Sequence, residues 1–328
     1  MTVSILPPPE ATPTYAPEMT AARVHRFGPP KVITLERIGV PKPEDREVLV
    51  RVHGAGVGNW DALVRSGESG LPQSLPLTLG AEVSGVVATI GTNVIDFHQG
   101  DEVFGVTNAS FVDGYAEYAV ASAKMIATKP SKLSHIEAAS VPVVAVTAWQ
   151  MLFDHARVSE GHTVFVHGGA GSVGAYAVQL ARWSKMRVIA SVRGDDADYV
   201  SALGAEEVIR TPSSRLAEFA QCADAVIDTV GGPTQEQLFS LAKPGGIVVS
   251  VVSPPNAQRA QQYRLTSDYF IVDVNSAQLA RLADMLDAKE LVTSVGSVLP
   301  LAEVRAAHEM LADARPHKRG KIVLRVGA

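Results

Sequence analysis

Three glycines spaced three apart, Gly168, Gly171 and Gly174, with Gly169 beside the first, follow a short apolar run that ends at His167. An amphipathic stretch over residues 175–183 comes next. A strand, a glycine turn and a helix start in that order make a cradle for a pyrophosphate. The unpaired N–H groups of the first helical turn, which takes in Ser172 and Val173, point at the anion, and the helix dipole favours it. Glycine is needed where a side chain would block close approach. The spacing departs from the strict G-x-G-x-x-G, so the run gains its meaning from its context. Residues 185–192 read as a second strand, whose end falls about 20 residues past the glycines, where a ribose-reading residue is expected. That end is Ser191-Val192-Arg193-Gly194. Arg193 offers a planar fork for a phosphate and Ser191 a hydroxyl, which favours NADPH over NADH; the alternative for Arg193 is a solvated surface charge. Asp195 and Asp196 follow, and they read as acids favoured at the start of the next helix.

The elements around this run follow a βαβ order. Strands are expected at 207–209, 223–228, 246–252 and 269–274, with helical stretches over 196–203, 214–221 and 235–242 between them. With the two strands that flank the first helix, that makes six strands joined by crossovers, the doubly wound dinucleotide fold. A helical apolar stretch over 135–156 leads in, and a helix over 277–288 leads out. Upstream the pattern is different. Short apolar runs at 21–25, 47–52, 81–90, 100–105 and 114–120 are separated by Gly and Pro, as in a small β-barrel. Residues 290–328 return to short strands and are expected to complete that first domain. Residues 1–18 carry five prolines and little periodicity, and read as a flexible extension.

At 328 residues the chain has room for two domains. Its net charge of −5 argues against a nucleic-acid partner. No apolar run reaches the roughly 18 residues needed to span a bilayer, and the start of the chain lacks a signal-peptide pattern. A cytoplasmic protein without a membrane partner is the expectation. Cys222 is the single cysteine. It allows no intrachain disulfide and no cysteine-rich zinc site, and it reads as a small core residue.

Several segments share one further property. In the first domain they are Gly80-Ala81-Glu82-Val83-Ser84-Gly85-Val86-Val87, Gly100-Asp101-Glu102-Val103-Phe104-Gly105 and Asp113-Gly114-Tyr115-Ala116-Glu117-Tyr118. In the second they are Thr147-Ala148-Trp149-Gln150, the glycine run and Asp228-Thr229-Val230-Gly231-Gly232, with Ala307-His308-Glu309 and Arg319-Gly320-Lys321-Ile322-Val323-Leu324 near the end. In this order they resemble the medium-chain dehydrogenase/reductase superfamily, on its zinc-free, quinone-oxidoreductase-like side, over residues 19–328. The resemblance implies an α/β chain with a GroES-like β-barrel substrate domain (19–145 and 290–328) and a Rossmann doubly wound parallel-sheet domain (146–289). It implies hydride transfer from a nicotinamide cofactor in the cleft between them. It also implies a homodimer, for which the apolar strands at 248–252 and 269–274 are candidate edges.

The resemblance assigns Thr147, Val251 and Val252 to the nicotinamide end, with Val230 lining its path. The alternative for Thr147 is a helix hydroxyl bonded to its own backbone. Zinc-dependent relatives carry a ligand His after the Gly of a Gly-His-Glu motif; here that residue is Ala81, and no cysteine precedes Cys222. No metal is therefore expected. Family quinone reductases show Gly-Val-Asn, then an acid, then a Tyr two residues later. Here Gly58 takes the Asn place, Asn59 comes one residue late, and Leu63 takes the Tyr place, while Asp61 and Arg65 match. Asn59, Trp60 and Asp61 are the candidates to line the cleft. Asp61 reads equally as a structural acid bonded to backbone amides, and Trp60 equally as core. Tyr115 and Tyr118 read as packing residues, and solvent is the expected proton donor. These features point to an NADPH-dependent reductase of quinones or α,β-unsaturated carbonyls. A simple carbonyl or alcohol oxidoreductase and a non-catalytic NADPH-binding redox sensor are the alternatives.

Overall fold

The computed structural model describes residues 16–312 and 314–327. Of the expected N-terminal extension, residues 1–15 lie outside the described residues. Pro17 and Glu18 belong to the fold: Glu18 opens the first strand, and the Pro17 carbonyl accepts from the Val40 N–H at 3.0 Å.

The first unit is a set of short, mostly antiparallel strands. Glu47–Val57 is its spine, and Val48, Leu49, Val50 and Val52 on it are buried. It pairs with Glu82–Ile90, with Tyr118–Ser122 and, from the far end of the chain, with Lys321–Arg325. Lys321–Arg325 in turn pairs with Val295–Pro300. The three-stranded sheet of Glu18–Val24, Ile33–Gly39 and Leu77–Thr78 lies beside it.

The second unit is a six-stranded parallel sheet. Its strands in chain order are Thr163–His167, Arg187–Arg193, Glu207–Thr211, Ala223–Asp228, Ala242–Ser250 and Thr266–Tyr269. Their spatial order is third, second, first, fourth, fifth, sixth. This is the doubly wound topology, and its ligand crevice opens at the carboxyl ends of the first and fourth strands, where the order reverses. Val164, Phe165 and Val166 are fully buried, as a strand covered on both faces requires. Helix Ser172–Trp183 follows the first strand and packs on helix Pro142–Trp149. Among the described residues no helix is long and apolar enough to cross a membrane.

Three sequence expectations change here. The sixth strand is Thr266–Tyr269, not the apolar run at 269–274. The Gln150 amide satisfies the backbone of that run instead, donating to the Asp273 carbonyl at 2.7 Å and accepting from its N–H at 3.2 Å. The helical stretch at 135–156 is three pieces, His135–Ala138, Pro142–Trp149 and a wide π turn at Gln150–His155; Pro142, suited to a first helical turn and not to an interior, separates the first two, and the third continues directly from the second. Residues Ser214–Phe219 form a 3₁₀ segment rather than an α-helix.

Helix Asn59–Ser66 carries the candidate substrate residues, and buried polar contacts fix its far end. Arg65 Nε donates to the Gly28 carbonyl at 2.9 Å, and its Nη1 donates to His308 Nδ1 at 2.9 Å. Burial, with Arg65 beside it, pushes the His308 pKa down to about 3, so the ring is neutral and can accept.

Gly80, which opens the Gly80-Ala81-Glu82 segment, has φ +82°, and a Cβ there would lie 2.0 Å from the Tyr115 ring. Tyr115 is fully buried and has nowhere to move. Gly80→Ala is therefore expected to lower stability by at least about 3 kcal/mol, combining left-handed strain with overpacking. Urea denaturation checks this; a loss under about 1 kcal/mol would mean that Tyr115 relaxes.

Candidate active site

The glycine turn is built on close contacts. Gly168 has φ +85°, and a Cβ there would lie 2.5 Å from Val230 Cγ2. A Cβ on Gly174 would lie 2.1 Å from the Gly168 carbonyl oxygen, and one on Gly169 would lie 3.0 Å from Ala190 Cβ. The N–H groups of Gly168 and Gly169 both donate to the Ser191 carbonyl, at 3.2 and 2.9 Å. Gly171 is the N-cap of helix Ser172–Trp183 and offers it no side-chain cap. The first-turn amides of Ser172, Val173 and Gly174 thus face the cleft with the positive end of a 12-residue helix behind them. A dinucleotide pyrophosphate fits this cradle.

The walls of the crevice depend on Asp228. Its carboxylate is fully buried and accepts from the N–H groups of Val230 (3.1 Å) and Gly231 (2.9 Å), from Gln235 Nε2 (2.9 Å) and from the Ser250 hydroxyl (2.9 Å). These bonds set the turn that brings Val230 against Gly168. Val230 and Val252 are 43% and 48% exposed, and Val251 is half-buried between Ser250 and Val252. Thr147 is buried, and its hydroxyl donates to the Val143 carbonyl at 2.6 Å, which leaves its oxygen able to accept.

At the second strand end the two expected phosphate contacts separate. Arg193 is exposed at the carboxyl edge. Ser191 is 1% exposed, and its hydroxyl shares a 2.6 Å hydrogen bond with His167 Nδ1. It is an internal tie, not a surface donor, because Ser191 lies in register beside His167 on the neighbouring strand, two residues before its own strand ends. Asp196 does occupy the N-cap position of helix Ala197–Ala202, but its side chain caps nothing and is ion-paired with Arg319.

On the other side of the cleft, Asn59 is exposed in the first turn of its helix. Trp60 is half-buried, edge-on to Phe111 with ring centroids 5.6 Å apart, and its indole N–H is buried without a partner. Asp61 is buried and accepts from the Gly58 N–H at 2.7 Å, the backbone-bonded role. Two residues with no role in the sequence reading join it. Glu82 and Lys321 form a buried ion pair, and the second Glu82 oxygen accepts from the Val143 N–H at 2.9 Å. Lys321 also lines a small cavity with Gly171 and Ser172, so this cluster reaches the glycine turn. The available signals were the acid that follows Ala81 and a lysine opening a strand whose next three residues are apolar.

Comparison with known proteins agrees with this architecture. The family profile described as Alcohol dehydrogenase GroES-like domain matches residues 44–131, and that described as Zinc-binding dehydrogenase matches 203–324. The chain is similar to a quinone oxidoreductase of Homo sapiens, 30% identical over 308 residues, covering 89% of this chain and 93% of that protein. A solved quinone oxidoreductase from Coxiella burnetii superposes with a TM-score of 0.88 at 33% identity, over 94% of this chain and 100% of the other. The mycobacterial protein Rv1454c, solved in complex with NADPH, superposes with a TM-score of 0.81 at 28% identity, over 94% of this chain and 99% of the other. The residues present do not fit a zinc ion. Buried Ala81 takes the ligand position, and among the described residues no group of three or more His, Cys, Asp or Glu could hold a metal.

Burial pushes the Asp61 pKa up from 3.8 to about 6, against the opposing pull of the Gly58 N–H and Lys321. A raised carboxyl pKa means stability that is fully present below pH 3.8 and lost as pH rises to about 6. Asp61→Asn keeps an acceptor for Gly58 and removes the charge. The variant is expected to exceed the parent by about 2–3 kcal/mol at pH 8 and by almost nothing at pH 4. Urea midpoints at the two pH values check this; a variant weakened equally at both would show that the carboxylate charge is needed.

Proposed function

The chain belongs to the medium-chain dehydrogenase/reductase superfamily, on its quinone-oxidoreductase-like side, and we propose that it is a zinc-independent, NADPH-dependent oxidoreductase that reduces conjugated carbonyls, either quinones or α,β-unsaturated ketones and aldehydes. The observation that carries this reading is the uncapped helix end at Gly171–Gly174, with a free arginine at the end of the neighbouring strand and no acid in that place.

When bound, the nicotinamide supplies a hydride. The chain supplies position and charge. The amides of Ser172, Val173 and Gly174 hold the pyrophosphate, with Gly168 leaving room for it. Arg193 takes the ribose 2′-phosphate as a planar fork. Val230, Val251 and Val252 wall the nicotinamide end and exclude water from one side of the transfer. Orientation of the two reacting carbons is the larger part of the rate enhancement, since the hydride moves directly between them. Across the cleft, Asn59 and Trp60 face the acceptor, and Asn59 is the exposed donor there for an oxygen that gains negative charge. Asp61 holds the helix start that presents them. Solvent delivers the proton that completes the reduction.

The enzyme works in the cytoplasm, where its lone thiol Cys222 stays reduced. It is a homodimer, joined through the outer edge of Thr266–Tyr269, where Tyr269 and Ile271 are exposed. Size-exclusion chromatography with light scattering is expected to give twice the chain mass; a single-chain mass overturns the dimer.

NADPH and NADH oxidation against phenanthrenequinone, benzoquinone, hexenal and a saturated aldehyde tests the activity. Turnover is expected with the conjugated acceptors and NADPH. Arg193→Ala is expected to weaken NADPH binding about tenfold or more and NADH binding by less than about twofold, the effect of one charge-assisted phosphate contact. Tight NADPH binding with no turnover of any acceptor would favour a sensor, and a parent preference for NADH would remove the phosphate role of Arg193.

A further inference from the structure

One charged contact crosses the cofactor groove and has no part in the function proposed above. Arg319 leads into the barrel strand Lys321–Arg325. Its guanidinium is ion-paired with Asp196 of the dinucleotide-binding unit and lies 4.0 Å from the centroid of the Tyr199 ring. Tyr199 meets Ser294 across the same junction, where both line one cavity. Asp196 and Tyr199 come three and six residues after Arg193. Gly171, Ser172, Tyr199, Ser294, Gly320 and Lys321 line one cavity of about 20 Å³, immediately over the pyrophosphate amides. That is the space of a single water, so the junction is closely packed where the glycine-turn helix meets the strand that follows Arg319.

The charges at this point are of unequal use to a phosphate. Arg319 is a second planar fork beside the groove, and Asp196 occupies it. The same carboxylate adds negative charge a few residues from Arg193. We propose that Asp196 and Arg319 form a latch over the cofactor groove, and that Asp196, by engaging Arg319, sets the balance between NADPH and NADH. Opening the latch to admit a dinucleotide frees the guanidinium for the extra phosphate of NADPH, a gain that NADH cannot match. The inference rests on the reading that Arg193 marks the 2′-phosphate side of the groove. Both side chains are partly exposed, at 41% for Arg319 and 32% for Asp196, so substitutions leave the core intact.

The test is a fluorescence titration of NADPH and NADH into the full-length protein and its Asp196→Asn, Asp196→Glu, Arg319→Met and Asp196→Asn/Arg319→Met variants. Asp196→Asn is expected to tighten NADPH about five- to tenfold, the scale of one partly screened charge interaction, and NADH by less than about twofold. Asp196→Glu keeps the parental ratio. Arg319→Met weakens NADPH selectively, and in its background the gain from Asp196→Asn shrinks to less than about twofold. An unchanged affinity ratio in Asp196→Asn overturns the proposal. So does an equal gain with and without Arg319, which would mean that Asp196 acts on the cofactor directly. The parent's own preference and Arg193→Ala test the NADPH reading separately, because the latch is read from the change in ratio whichever cofactor the parent prefers.

Discussion

A methyl group at position 174 would stand 2.1 Å from the Gly168 carbonyl oxygen, and one at 168 would stand 2.5 Å from Val230. The site follows from these two prohibitions. With hydrogen at both places, the first turn of helix Ser172–Trp183 is drawn against the end of the first strand, and its uncapped amides are left facing the cleft. The close approach also sets where Val230 can lie, and Asp228 holds it there with two backbone hydrogen bonds on the adjoining turn. Anion cradle and apolar wall are therefore consequences of one packing constraint.

The opposite face of the cleft is organised by buried charge. Glu82 comes from one strand of the barrel, Lys321 from another, and Asp61 from the helix that presents Asn59 and Trp60. Removing charges from water is costly, and a buried ion pair recovers that cost only where other hydrogen bonds complete it. Here the Val143 amide completes Glu82, and the Gly58 amide satisfies the neighbouring Asp61. Val143 lies on helix Pro142–Trp149, which packs against the glycine-turn helix, so the same cluster joins the two walls. Ala81 beside it leaves the position used for a metal ligand in zinc-dependent relatives apolar, and the local cation is an ammonium group.

Much of this was legible in the residues. The glycines, the strand before them and the βαβ alternation carry their own physics, because backbone freedom and apolar periodicity are local. The doubly wound order and the barrel pattern followed from them. The residue type of Ser191 suits a phosphate, while the direction of its side chain depends on His167 in the neighbouring strand. The apolar run at 269–274 looked like a strand because it is hydrophobic, and nothing in the run reveals that Gln150 claims its backbone. Glu82 with Lys321, and Asp196 with Arg319, are pairs between residues more than a hundred positions apart. One sequence contains no signal that couples such positions; only the completed fold brings them together.

The strand Lys321–Arg325 lies between Val295–Pro300 and Glu47–Val57, so the barrel is closed by residues from near both ends of the described chain. The dinucleotide-binding unit is an insertion within the barrel's sequence. During synthesis on a ribosome, the parallel sheet has its full complement of strands and can fold while the barrel still lacks its closing strand and the Glu82 counter-ion. Until Lys321 emerges, the edge of strand Glu47–Val57 at residues 54–57 is an unpaired template beside an uncompensated buried carboxylate, and this is the stage at which a nascent chain most needs protection from its neighbours.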